Sequence, residues 1–266
     1  MERLIFDTHA HYVSRAFNKY RDTLLAELPA RGVALVLDCG TDYATSKASL
    51  ALAERYDYIY AAAGIHPESL IEDDASTVAE FKGDWRAEMA AIRPLYEHPK
   101  VLAVGEVGLD HHWPVPKDTQ LEMFEAHIRL ALELDLPLSI HDREAHAEIY
   151  ALLKKYKPKG VLHAFSGSPE DAKWLCAQGL YIGLGGPVTF KNARRPQEVA
   201  AMVPPEKLLV ETDCPYMAPE PYRGKKSDSA MIAHTAAKIA ELRGCAAEDV
   251  LKMTLENGKR LFGIAG

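Results

Sequence analysis

Five of the eleven histidines, His9, His11, His66, His141 and His163, fall at the ends of short apolar runs. Glu106, Asp110 and Asp213 close other such runs. His9 and His11 are spaced i, i+2, so on an extended strand both imidazoles face the same way. Imidazoles and carboxylates gathered in one buried mouth desolvate and repel one another unless a counter-charge is present. A divalent cation supplies it. One catalytic ion commonly takes three protein ligands and keeps a position open. The six side chains His9, His11, Glu106, His141, His163 and Asp213 therefore predict two divalent ions per chain. Glu106 is the expected bridge, with His9, His11 and Asp213 on one ion and His141 and His163 on the other. Mixed imidazole and carboxylate ligands suit Zn, Mn, Fe or Co, whereas Mg prefers oxygen.

The elements that must position these groups alternate regularly. Apolar runs over 4–10, 33–39, 58–65, 101–108, 136–141, 160–165, 181–186 and 207–213 read as strands buried on both faces. Helical periods lie between them, clearest over 121–134, with others near 17–28, 43–55, 85–96, 145–156 and 169–178. Two more helices, near 231–242 and 247–262, close the chain. Asp42, Ser76, Ser168 and Asp228 are expected at or near helix N-caps. Strands alternating with helices imply a parallel sheet with right-handed crossovers. Eight such units in roughly 250 residues predict an α/β fold, a (β/α)8 TIM barrel with C-terminal helices. The chemical residues then sit at C-terminal strand ends, where barrel sites are built.

Composition narrows the function classes. Lys plus Arg is 31 and Asp plus Glu 38, a formal net charge of −7. That argues against coating nucleic acid through bulk charge, though not against a local anion site. Four scattered cysteines without a CxxC pair give no disulfide framework and fit a reducing compartment. No apolar run is long enough for a signal peptide or a membrane span, so a cytoplasmic protein is expected, with no membrane and no obligate protein partner. No linker, repeat or low-complexity tract divides the chain, so one domain over 1–266 is expected.

Seven motifs in order, DTHAH, GIHP, GEVGLD, IHDREA, HAFSG, ETDCPY and the RGK loop Arg223–Lys225, resemble the TatD family of metal-dependent deoxyribonucleases within the amidohydrolase superfamily. The resemblance runs from Asp7 to Phe262. It implies a two-metal hydrolase cutting phosphodiesters in DNA, often as a 3′–5′ exonuclease on single strands or ends. It places the family's metal ligands on His9, His11, Glu106, His141, His163 and Asp213. Two stretches depart from the pattern. Relatives usually continue RGK with Asn-Glu-Pro, whereas Lys226, Ser227, Asp228 and Ser229 follow here. Relatives often carry an aromatic pair after GLD, whereas His111 and His112 stand here, before Trp113.

The expected mechanism is attack by a metal-bridging hydroxide on phosphorus. Asp213 would orient the water and take its proton, and His66 would hydrogen-bond a phosphate oxygen. Together with Glu106 these are the expected catalytic residues. Arg143, Asp110, Arg223 and Lys225 are expected to hold substrate. Lys191, Arg194, Arg195 and Lys226, also expected in the loops after the last two strands, would extend a basic rim. Trp113, Phe190 and Tyr216 could stack a base. Ester or amide hydrolysis on the same metals, as in a D-aminoacyl-tRNA deacylase or cyclic amidohydrolase, is the alternative. The fourth strand carries Glu106 and no Lys, which favours phosphodiester cleavage.

Overall fold

The structure is a computed structural model that describes residues 2–265. Eight strands succeed one another in a single sheet in sequence order: β1 (Ile5–Ala10), β2 (Val33–Cys39), β3 (Ile59–Ala63), β4 (Val101–Asp110), β5 (Leu138–Arg143), β6 (Gly160–Leu162), β7 (Tyr181–Leu184) and β8 (Leu208–Val210). The helices between them are α1 (Arg21–Glu27), α2 (Tyr43–Arg55), α3 (Ser76–Ala79), α4 (Trp85–Ile92), α5 (Lys117–Leu134), α6 (His146–Tyr156), α7 (Pro169–Ala177) and α8 (Arg194–Met202). Helices α9 (Ile232–Arg243) and α10 (Ala247–Phe262) end the chain. This is the (β/α)8 barrel class that the alternation predicts. Among the described residues no helix is long and apolar enough to cross a membrane.

The chain forms two compact units, Met1–Asp38 with His163–Gly266, and Cys39–Leu162. In the first, β1 is buried throughout and pairs in parallel with β2. β7 pairs in parallel with β8, and a parallel bridge joins Ala10 to Cys214, just past β8. Helix α10 covers β1 through Phe262, whose ring lies 5.8 Å from that of Phe6. Asn257 on α10 donates to the carbonyl oxygens of Pro205 and Leu208, tying the helix to the start of β8. Ser168 opens α7 with a capping box to Asp171, and Pro169 takes the first helical turn, where its missing N–H costs nothing.

In the second unit, β3, β4 and β5 pair in parallel and β5 continues to β6. Val104, Val107 and Leu109 of β4 and Met123, Phe124 and Ile128 of α5 are all buried, and α5 packs on β4. Asp42 caps α2 in a box with Thr45, and its second oxygen accepts from the Ser76 N–H. The β4–β5 register sets Gly108 opposite His141 and Asp110 opposite Arg143. Gly108 has φ 151°, and a Cβ there would lie 2.0 Å from the His141 carbonyl oxygen, so only glycine permits this pairing.

Several element boundaries differ from expectation for local reasons. The helix expected over 17–28 is a 3₁₀ turn (Arg15–Phe17) followed by α1, because the Arg21 guanidinium turns back to the carbonyls of Tyr12, Val13 and Ser14. The helix expected over 85–96 ends at Ile92, where Pro94 converts the remainder into a 3₁₀ turn. Ser76 is the first residue of α3, one past its N-cap as expected near a helix start, and its hydroxyl accepts from Ala44 N–H at the start of α2. The short α3 and the whole of α8 are additions; α8 lacks a side-chain cap at its start. Arg194 and Arg195 accordingly lie on a helix and not in a loop.

Candidate metal centre

The first unit gathers donors from three strand ends. His9 lies in β1 and His11 just beyond it, and their Nε2 atoms are 3.1 Å apart. Asp213 Oδ1 lies 3.2 Å from His11 Nε2 and 3.9 Å from His9 Nε2. The three form a group able to offer one ligand atom each to a single ion. His163, following β6, stacks its ring on that of His9. Asp213 sits at φ 56°, a left-handed conformation that strains a non-glycine residue and is common at functional sites. Its N–H donates to the His9 carbonyl, which holds Asp213 beside β1. Burial alone would raise the Asp213 carboxyl. The hydrogen bond and charge of His11, with the charges of His163 and His9, outweigh it and hold the group below the ordinary aspartate value.

A buried network supports this cluster from behind. Asp7 accepts from Thr212 N–H (3.0 Å), Thr212 Oγ1 (2.6 Å) and Ser229 Oγ (2.7 Å). Ser229 also bonds Tyr12, hydroxyl to hydroxyl at 2.6 Å. Burial pushes the Asp7 carboxyl up to about 7 against these bonds. The unusual residues after the RGK loop are thus tied, through Ser229 and Asp7, to the strand that carries His9 and leads into His11.

Glu211 is a functional candidate that the motif reading missed. It is buried, accepts from the Ala164 N–H, and lies 3.7 Å from His163 Nδ1. The signal was its i, i+2 spacing from Asp213, the same as between His9 and His11. Gly183 makes room for it: a Cβ there would stand 2.3 Å from Glu211 Oε2.

The second unit carries its own cluster. His141 Nδ1 is 3.0 Å from Glu106 Oε1, and its Nε2 is 2.9 Å from Asp110 Oδ2. With a carboxylate at each nitrogen, His141 either donates to both as an imidazolium or yields one contact to a cation. Burial works to raise Asp110, but the bond and charge of His141 and a bond from His112 N–H leave it lowered. His66 Nε2 lies 3.6 Å from Glu106 Oε1. His66, Asp110 and His141 also form a ligand-competent group. The two histidines differ, however. His66 Nδ1 accepts from the Glu68 N–H at 3.2 Å, so the neutral ring carries its proton on Nε2. That makes His66 a donor toward an anion and a poor neutral ligand.

The remaining expected residues are cationic or aromatic. Arg143 is exposed, with its guanidinium 5.8 Å from the Trp113 ring centroid. Arg223 lies over Phe190 at 4.4 Å, and Lys225 lies 5.5 Å from the Tyr222 ring. Lys226 donates to the Ala16 carbonyl and Arg194 pairs with Glu198, so part of the basic rim is engaged within the protein. Asp110 is buried, its oxygens held by His141 and His112.

The family model described as TatD related DNase matches residues 6–263. This chain belongs to the TatD family. A Bacillus subtilis (strain 168) relative named as the uncharacterized metal-dependent hydrolase YabD is 38% identical over 98% of this chain and 100% of its own. A Citrobacter koseri relative named 3'-5' ssDNA/RNA exonuclease TatD is 35% identical over 98% of this chain and all of its own. The crystal structure of the TatD homologue YjjV from Escherichia coli K12 aligns over 100% of both chains with a TM-score of 0.88 at 29% identity. As a TatD-family member the protein is a metal-dependent hydrolase. Its imidazole and carboxylate donors are the chemistry that such an enzyme requires.

Proposed function

We propose that the protein is a divalent-metal-dependent nuclease that cleaves phosphodiester bonds at the 3′ ends of single-stranded DNA, working as one domain over 1–266 in the cytoplasm. The observation that carries this reading is the donor cluster His9–His11–Asp213, in a chain similar along nearly its whole length to a relative named as a 3'-5' ssDNA/RNA exonuclease. The scattered cysteine spacing supports a reducing compartment. The absence of a lysine from β4 favours phosphodiesters over the amide substrates of the alternative reading.

His9, His11, Glu106 and Asp213 would hold one ion and Glu106, His141 and His163 a second. Divalent ions there would supply Lewis-acid charge against phosphate oxygens and acidify water at neutral pH. Asp213, held ionised by its histidine neighbours, orients the attacking water and accepts its proton. His66 donates from Nε2 to a non-bridging phosphate oxygen. Arg143 grips the phosphate with its fork, and Arg223 and Lys225 hold the strand beyond. Asp110 fixes the His141 ring and reaches substrate only through it.

The test is incubation with labelled single-stranded DNA and Mg²⁺, Mn²⁺ or Zn²⁺, with and without chelator. Metal-dependent release of mononucleotides from the 3′ end is expected. Cleavage that survives chelation, or none with any metal, overturns the reading.

A further inference from the structure

We propose that Trp113 and Arg143 form a subsite for the terminal nucleotide of a single-stranded substrate, the indole stacking on the base while the guanidinium holds the adjacent phosphate. The proposal rests on the nuclease reading above and adds to it a means of recognition.

Trp113 is 41% exposed, although it lies in a loop whose backbone is firmly held. Gln120, fully buried, clamps both ends of that loop. Its Oε1 accepts from Asp110 N–H at 2.7 Å, and its Nε2 donates to the carbonyls of Asp110 (2.8 Å) and Val115 (3.2 Å). The His111 N–H donates to the Arg143 carbonyl, and the Val115 N–H to the Trp113 carbonyl. An exposed indole on a backbone held this way offers a fixed apolar face that a stacked base would bury. Here the backbone is ordered and the indole stays out.

The surroundings suit a nucleotide. His112 stands edge-on to the Trp113 ring at 4.9 Å and 83° and is fixed by Glu144 at 3.1 Å from its Nδ1. Arg143 is exposed and lies near the indole. The platform is continuous with the donor cluster. Trp113 is three residues past Asp110, whose carboxylate holds His141, and Arg143 is two residues past His141. A base on the indole would set its phosphate beside Arg143, two residues past His141. Every base has a π face, so such a subsite reads the presence of a base and not its identity.

The test compares single-stranded DNA oligonucleotides with a normal or an abasic 3′-terminal residue. Wild-type protein is expected to show a KM about 5- to 100-fold lower for the base-bearing end. Trp113→Ala should bring that ratio near one, chiefly by raising KM on the base-bearing end. Trp113→Phe should retain most of the preference. A preference that persists in Trp113→Ala, or an equal loss on both substrates, overturns the proposal. A binding arm is independent of hydrolysis. A short single-stranded oligonucleotide should quench tryptophan emission in the wild type, and the quenching should vanish in Trp113→Phe. If quenching is the same in both, the stacking platform is wrong. If wild type shows the Trp113-dependent quenching but cleaves neither oligonucleotide with any divalent ion, the platform stands and the nuclease reading fails.

Discussion

The imidazole planes of His9 and His163 lie face to face, 3.7 Å between centroids and 4° from parallel. With His11 Nε2 only 3.1 Å from His9 Nε2, the three rings cannot all carry protons without strong mutual repulsion. Neutral rings facing divalent cations would resolve the conflict, since imidazole ligates metals in its neutral form.

Metal removal should therefore destabilise the protein. At a metal concentration one hundred times the dissociation constant, one occupied site adds about 2.7 kcal/mol. For a chain of this length that corresponds to a rise of roughly 5–10 °C in Tm. Differential scanning calorimetry before and after exhaustive chelation measures it, and an unchanged Tm would count against a metal centre.

Glu106→Gln keeps the shape of the buried side chain and removes its charge. Metal affinity should drop by at least about 100-fold, since losing even an outer partner of a ligand costs 10- to 100-fold. Atomic absorption after gel filtration reads the metal bound per chain, and hydrolysis should fall with it. A variant that still carries two ions would show that Glu106 does not bridge them.

Gly183→Ala places a methyl group 2.3 Å from Glu211 Oε2 inside a packed region. Overpacking of this kind costs about 1–3 kcal/mol. Thermal melting should show the loss, and a second change, Glu211→Asp, should restore part of it by withdrawing the carboxylate. If the double variant melts no higher than the single one, the clash lies elsewhere.

Acid should weaken the fold through His127 on α5. Burial drives its pKa from 6.5 down to about 4, against a hydrogen bond to the Met123 carbonyl. Between those values the unfolded chain binds a proton that the folded chain excludes. Stability thus falls as pH drops from 6.5 toward 4, by roughly 3 kcal/mol in all. His127→Leu removes this component. Urea unfolding at pH 7 and pH 4.5 should show a smaller difference for the variant than for the wild type.

Much of the fold was legible because its signals are local. Apolar runs mark the strands, and Asp42 and Ser168 mark helix starts through bonds to residues three positions on. The boundaries that shifted have competing causes near the element itself, such as Pro94 at the end of α4. Arg21 reaches back to the carbonyls of Tyr12, Val13 and Ser14, just past β1. The site followed the same division. Strand-end position and i, i+2 spacing brought out the histidines and Asp213. The donor state of His66 depends on the Glu68 N–H, and the burial of Glu211 depends on a missing side chain at Gly183. The tie from Ser229 to Tyr12 spans more than two hundred residues. None of these three leaves a pattern in neighbouring letters.

The Gln120 clamp has an evolutionary consequence. Because one amide secures both the exit of β4 and the entry to α5, the exposed residues from His112 to Pro114 can be rewritten with little disturbance of either neighbour. Selection can exchange that short stretch as a cassette, altering what the enzyme accepts while the metal ligands and their strands stay as they are.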